Sequence, residues 1–226
     1  MRMIGNVLIT GGAAGLGRAT ATAVVKAGGR PLVIDLVPAD NGADHVVADV
    51  GDREQVELAV HELAARAGGL DGVVTAAGID RCGPLDQVPA EEWERVVRVN
   101  LLGTVSVVRA ALPYLDGGRV VTVASTLGLR AVGDATAYCA AKAGVVGFTR
   151  ALAAETAGRI GVTLLVPGGM RTGFFDGRDE KYRPGPGAGL NQPEDVAAAV
   201  VFALGQPPGC EVRELVMCPG TETSWP

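Results

Sequence analysis

The sequence predicts a three-layer α/β fold, a doubly wound parallel sheet with helices on both faces. Three observations predict it. Short apolar runs alternate with longer helical patterns from one end of the chain to the other. The runs are near-continuous in Val, Ile and Leu, as strands buried on both faces require. No composition break and no internal repeat divides the 226 residues, so residues 1–226 read as one domain large enough for a sizeable core.

In chain order, the first strand is read at Val7–Thr10 and the first helix at Gly15–Ala27, with a glycine turn between them. Strands Pro31–Asp35 and His45–Ala48 lead to a helix at Asp52–Ala67. The fourth strand, Gly72–Ala76, precedes a long helix at Glu91–Leu115, and the fifth, Arg119–Ala124, precedes Ala135–Ala157. The sixth strand is Val162–Val166; a last helix at Glu194–Ala203 and a seventh strand at Arg213–Met217 complete the chain. Such strand–helix–strand passages imply right-handed crossovers. Residues 173–192 are rich in Gly and Pro and show no period. A loop this long in a compact domain is disordered or functional, and a lid over a substrate is the expected role.

Composition narrows the function classes. Hydrophobic residues make up 48%, which excludes a disordered chain. Glycine is abundant, 33 of 226, yet no G-X-Y period accompanies it, so collagen is excluded and each glycine is read by position. The net charge of -5, from 20 basic and 25 acidic residues without like-charge runs, argues against a nucleic-acid partner. Cys82, Cys139, Cys210 and Cys218 show neither CxxC spacing nor a histidine cluster, so no metal site and no disulfide framework is expected. The apolar N-terminal run is too short for a signal peptide, and no segment is expected to approach a membrane span. A soluble, cytoplasmic protein is the expectation.

Gly11-Gly12-Ala13-Ala14-Gly15-Leu16-Gly17 joins the first strand to the first helix. Glycines allow a sharp turn and a close approach to a pyrophosphate, while the helix N-terminus offers unpaired N–H groups and a positive dipole end. The spacing is G-x-x-x-G-x-G, not the G-x-G-x-x-G of the common dinucleotide fingerprint. Asp35 ends the second strand, 18 residues past Gly17, where a carboxylate accepts hydrogen bonds from an adenosine ribose. The same carboxylate repels a 2′-phosphate, and neither Leu36 nor Ala14 offers a basic side chain. NAD is the favoured cofactor.

Tyr138 and Lys142 stand four residues apart near the start of a helix and so share one face. The chain holds only three tyrosines and three lysines, which gives this short spacing weight. A phenol is a poor base, and a neighbouring ammonium is expected to lower its pKa toward the working pH. Ser125 closes the fifth strand at the carboxyl edge of the sheet, where its hydroxyl can hold a substrate oxygen.

With these residues in place, the sequence resembles the short-chain dehydrogenase/reductase family in its compact single-domain branch, from Thr10 to about residue 204. The family's T-G-x-x-x-G-x-G is matched by Thr10, Gly11, Gly15 and Gly17. The resemblance implies a Rossmann-type sheet of order 3-2-1-4-5-6-7, with Leu16, Asp49, Val50, Ala77, Gly78, Pro167, Gly168, Met170 and Thr172 beside the cofactor. It implies a catalytic set of Asn100, Ser125, Tyr138 and Lys142, with Asn100 holding a relay water and Lys142 also binding the ribose. Departures are Thr75-Ala76-Ala77-Gly78, where the family usually has N-N-A-G, the missing asparagine before Pro167-Gly168, and an atypical C-terminal tail. The tail reads as altered packing at a subunit contact.

The implied function is an NAD-dependent oxidoreductase that interconverts a secondary alcohol and a ketone. The alternatives are an NADPH-dependent ketoreductase of the 3-oxoacyl reductase kind, or a non-catalytic dinucleotide-binding regulatory protein. An isomerase, epimerase or dehydratase using bound NAD would need an added domain, for which the length leaves no room. Phe174 and Phe175 favour a small-molecule substrate with an apolar body. The resemblance also implies a homotetramer, in which the two long helices pair across a two-fold axis and the last helix and strand make a second contact; a dimer is the fallback because the tail departs from the family. Val96, Val99, Val105, Val108, Val145 and Phe148 read as more apolar surface than one sheet face covers, in keeping with such pairing. His45, His61, Trp93, Cys139 and Trp225 read as structural, solvated or interface residues.

Overall fold

The computed structural model describes residues 3–39 and 42–222; Trp225 lies outside the described residues. Seven strands form one parallel sheet of order β3-β2-β1-β4-β5-β6-β7. They are β1 (Asn6–Thr10), β2 (Arg30–Asp35), β3 (Asp44–Val47), β4 (Leu70–Thr75), β5 (Leu115–Val123), β6 (Gly161–Pro167) and β7 (Glu214–Met217). β1 pairs with both β2 and β4, Leu8 standing between Leu32 and Val73. The chain therefore reverses its winding between β1 and β4, and such a switch point opens a crevice at the carboxyl edge of the sheet.

The core follows from the period of two along each strand. Val7 and Ile9 of β1 join Val33, Val74 and Leu165 under helices α1 (Gly15–Lys26) and α6 (Pro193–Leu204). Leu8 points the other way, with Leu32, Ile34, Val73 and Val120, under α2 (Arg53–Ala67) and α4 (Thr104–Ala111). Asp52 caps α2 by accepting the N–H groups of Glu54 and Gln55.

Four local expectations are corrected. The edge strands β3 and β7 are only partly buried, because each has a neighbour on one side alone. β5 begins at Leu115, ahead of the expected Arg119, with irregular pairing between Leu70 and Gly72. The helix read as Glu91–Leu115 is not uniform: α3 (Ala90–Val97) passes into a π-helical turn at Arg98–Gly103, then α4, then a 3₁₀ turn at Leu112–Tyr114. That segment is also long and apolar enough to cross a membrane, contrary to the expectation that none would be. Its apolar side is spent inside the fold, with Val96, Val99, Val107 and Val108 buried.

The same burial corrects the reading of surplus apolar surface. Val96, Val99, Val108 and Val145 are core residues, and Val105 and Phe148 are partly buried. Helix periodicity alone does not separate a face packed on the sheet from one packed on a neighbouring helix, and here α3 and the π turn lie against α5 (Thr136–Glu155).

Candidate active site

The switch point opens into a cavity of about 630 Å³, within the range of small-molecule sites. Gly11, Gly15 and Leu16 line it, with Asp35, Asp49 and Val50, Ala77 and Gly78, and Pro167, Gly168, Met170 and Thr172. Ser125, Tyr138 and Lys142 line it too, as do Phe174, Phe175 and Arg178 from the long loop after β6. Of the residues expected from the sequence, Thr10, Gly17 and Asn100 do not line it. Thr10 is buried and its hydroxyl accepts the Ala77 N–H at 3.2 Å, tying β1 to the loop after β4. Gly17 lets α1 sit on the turn; a Cβ there would stand 2.1 Å from the Gly11 carbonyl oxygen.

The glycine turn fits a dinucleotide. Gly11 has φ +70° and approaches Ala77 so closely that a Cβ would meet its backbone at 2.9 Å. Gly15 has φ +49°, and a Cβ there would stand 3.4 Å from Cγ2 of Thr172, narrowing the cleft between the turn and the segment after β6. The N-terminus of α1 has no side-chain cap and no acidic residue in its first turn, which leaves donors and the dipole for an anion. Asp35 accepts the N–H groups of Ala13 at 2.9 Å and Val37 at 3.3 Å. The carboxylate thus shapes the turn, and its remaining lone pairs suit ribose hydroxyls. Asp49 accepts the Gly51 N–H at 2.8 Å and pairs with Arg95 at 2.7 Å.

At the other end, Ser125 lies just beyond β5, not within it, and caps a 3₁₀ turn by accepting the Leu127 N–H. It also hydrogen-bonds the Tyr138 hydroxyl. Lys142 is buried and donates to the Val123 carbonyl at 2.8 Å, with Nζ 5.6 Å from the Tyr138 ring centroid. Burial pulls its pKa down to about 8. For Tyr138 the expected direction is corrected: desolvation pushes the phenol above its ordinary value, and the hydrogen bond from Ser125 only partly opposes this. Lys142 directs a proton at a backbone carbonyl, so its ammonium does not dominate the phenol's surroundings.

Asn100 sits inside the π turn, fully buried behind Gly78. Its amide donates to the carbonyls of Ile79 at 2.7 Å and Val96 at 2.8 Å, while Oδ1 has no protein partner. A Cβ on Gly78 would lie 2.8 Å from that oxygen, so a glycine is required there.

Several cavity residues escaped sequence reasoning. Arg95 escaped because its partner, Asp49, is 46 residues away. Glu222, which accepts the Gly169 N–H at 3.2 Å, comes from the tail read as a subunit contact. Asp80 and Arg178 form an almost buried ion pair at 3.2 Å. No local pattern marks any of them. The loop 173–192 itself carries two 3₁₀ turns, at Gly173–Phe175 and Glu180–Tyr182, where none was expected.

A sequence profile described as short chain dehydrogenase matches residues 5–183. The chain is 34% identical to 3-oxoacyl-(acyl-carrier-protein) reductase of Thermotoga maritima, covering 89% of this chain and 91% of that protein. It is 33% identical to D-threitol dehydrogenase of Mycolicibacterium smegmatis, over 89% and 86%. A short-chain dehydrogenase of Burkholderia cenocepacia, solved in complex with NADP, superposes with a TM-score of 0.84 at 27% identity, over 96% of this chain and 98% of that one. A dehydrogenase/reductase of Sinorhizobium meliloti gives 0.85 at 27%, over 97% and 95%. With that glycine turn, that sheet order and these matches over most of its length, the chain belongs to the short-chain dehydrogenase/reductase family, enzymes that oxidise CH–OH groups or reduce the corresponding carbonyls with a nicotinamide dinucleotide.

Proposed function

We propose that the protein is an NAD-dependent oxidoreductase that interconverts a secondary alcohol and a ketone on a substrate with an apolar body. One observation carries the reading. A single cavity is lined by Asp35 and the glycine turn, by Ser125, Tyr138 and Lys142, and by Phe174 and Phe175. Bound there, the nicotinamide supplies or accepts a hydride. Ser125 holds the substrate oxygen. Tyr138 gives that oxygen its proton in reduction and takes it in oxidation. Lys142 spends one of its three donors on Val123, which leaves two for ribose hydroxyls. Asn100, with its unpartnered Oδ1, suits a relay water, and residues 173–192 form the lid.

NAD is preferred because Asp35 turns a carboxylate toward the turn and Leu36 follows it. The second reading, an NADPH-dependent ketoreductase, draws support from the relative solved with NADP. The assembly is a homotetramer, with a dimer as fallback, acting in the cytoplasm. Phe202 on α6 and Val216 on β7 are exposed apolar residues in the region such a contact would use. The test is a panel of apolar alcohols and ketones with NAD(H) and NADP(H), read by absorbance of the reduced cofactor. Turnover with NAD(H) supports the reading. Turnover with NADP(H) alone selects the second, and no turnover with either leaves a binding protein.

A further inference from the structure

Arg178 of the lid and Asp80 of the loop after β4 are paired at 3.2 Å, with only 14% and 3% of their side chains exposed. The Arg178 guanidinium also lies 4.6 Å from the Phe174 ring centroid and 4.8 Å from that of Phe175. Phe174 in turn stands 5.6 Å from the Tyr138 ring. Four residues on, the Tyr182 hydroxyl donates to the Asp134 carboxylate at 2.9 Å. Asp134 has φ +56°, and its carbonyl accepts the Gly83 N–H at 2.8 Å. The lid is therefore fastened at two points, to the loop after β4 and to the loop before α5.

We propose that Arg178 and Asp80 form a charge latch that makes the acid–base state of Tyr138 depend on whether the lid is down. The proposal rests on the reading of residues 173–192 as a lid and of Tyr138 as the proton-transfer group. With the lid down, the guanidinium neutralises a carboxylate that is nearly sealed from water. With the lid lifted, Asp80 stays on the cavity wall and acts on the phenol unopposed. Both act on Tyr138 in opposite senses: Asp80 holds its proton on, Arg178 helps it leave.

The other groups around the phenol come from fixed elements. Ser125 follows β5, Lys142 and Cys139 are on α5, and α3 contributes the apolar Val96 and the Trp93 ring. Asp80 accepts the Cys82 thiol at 3.2 Å and the Arg81 N–H at 2.7 Å, and Asp134 acts on that thiol. Among the described residues, Arg178 alone of the charges that bear on Tyr138 travels with the lid. Arg178 is thus a positioning residue that ties proton transfer to closure.

The chain has three tyrosines, so ¹³Cζ-tyrosine labelling yields three resonances, and Tyr138→Phe identifies one of them. Its displacement, followed from pH 9 to the highest pH at which every variant stays folded, reads the phenolate fraction without any turnover. Asp80→Asn should raise the phenolate-to-phenol ratio about threefold or more, and Arg178→Met should lower it by a similar factor. The double variant should return near wild type. Arg178→Lys, which keeps the charge and avoids a buried unpaired carboxylate, should do the same. Any other order, coincident curves included, overturns the latch and leaves the pair a structural tie. Because no substrate is involved, this outcome is separate from the activity panel: the latch can fail while turnover stands, and turnover can fail while the titration holds.

Discussion

Lys142 Nζ donates to the Val123 carbonyl oxygen at 2.8 Å from inside the fold. A buried ammonium held by one neutral carbonyl is poorly compensated, which is why its pKa falls to about 8 from 10.5. The sign of the stability effect follows. Between those values the unfolded chain carries the proton and the folded one has released it, so this residue's contribution to stability rises with pH above about 8.

Tyr138 works against this rise. Its pKa is raised, so the folded state keeps a proton that the unfolded state loses above about pH 10. The window that reports Lys142 is therefore pH 8 to 10. Across it, unfolding free energy of wild type should climb relative to Lys142→Met, by at most on the order of 3 kcal/mol. Denaturant melts at pH 7, 8, 9 and 10 check this, and parallel curves for the two proteins count against a buried charged lysine.

Tyr138→Phe keeps the ring against Phe174 and removes only the transferable proton. It should fold, bind NAD and lose turnover by about 10²- to 10⁴-fold. Lys142→Met should lose turnover and weaken NAD binding as well, since it removes donors offered to the ribose. Cofactor titration beside steady-state rates separates the two, and a Tyr138→Phe variant with most of its rate would assign proton transfer to another group.

Asp35 has two jobs, receiving the Ala13 N–H and presenting a carboxylate to the cavity. NAD(H) should bind more tightly than NADP(H). Asp35→Ala should narrow the gap from both sides, by loosening the turn for NAD and by removing repulsion of the 2′-phosphate. Titration of both cofactors against both proteins checks it; equal or tighter NADP(H) binding by wild type defeats the argument.

What could be read from the sequence was the part encoded locally. Continuous apolar runs marked the strands, and Gly11, Gly15 and Gly17 stood between a strand and a helix where little but a phosphate turn needs them. Tyr138 and Lys142 announced themselves by helical spacing. The π turn was hidden because no local pattern marks it; the Asn100 amide it carries reaches the Ile79 carbonyl in the loop after β4. The Asp80–Arg178 pair was hidden too, since 98 residues separate its members and each reads as a solvated loop charge. The phenol's acidity was misjudged because burial outweighs a lysine whose proton is directed elsewhere.

Assembly is tested by size. Val96, Val99, Val108 and Val145 belong to the core, so the case for association rests on the exposed Phe202 and Val216, with the family resemblance behind it. Light scattering at micromolar concentration should return four copies, or two if the tail prevents the second contact. A 23 kDa particle would mean that these residues are ordinary exposed apolar side chains.

The lid prediction turns on where trypsin can cut. Lys181 is exposed, whereas the Arg178 guanidinium is held between Phe174, Phe175 and Asp80, and Arg183 is followed by Pro184, which protects its bond. Cleavage of the free protein should therefore begin after Lys181 and be slower after Arg178, since the protease must draw a side chain out of an ion pair and away from two aromatic rings. A cut in either place needs the backbone of residues 173–192 to leave the surface and extend, which the Tyr182–Asp134 hydrogen bond and the Arg178–Asp80 pair both oppose. If the loop closes over the substrate, adding NAD with an alcohol product adds contacts to Phe174 and Phe175 and lowers the open fraction. Both cuts should then slow together, by about tenfold or more for a ligand at a hundred times its dissociation constant. NAD alone should protect less, because the lid aromatics face the substrate end of the cavity. Equal rates with and without the ternary ligands would mean that residues 173–192 form only an exposed insertion, and the apolar wall would have to be sought elsewhere.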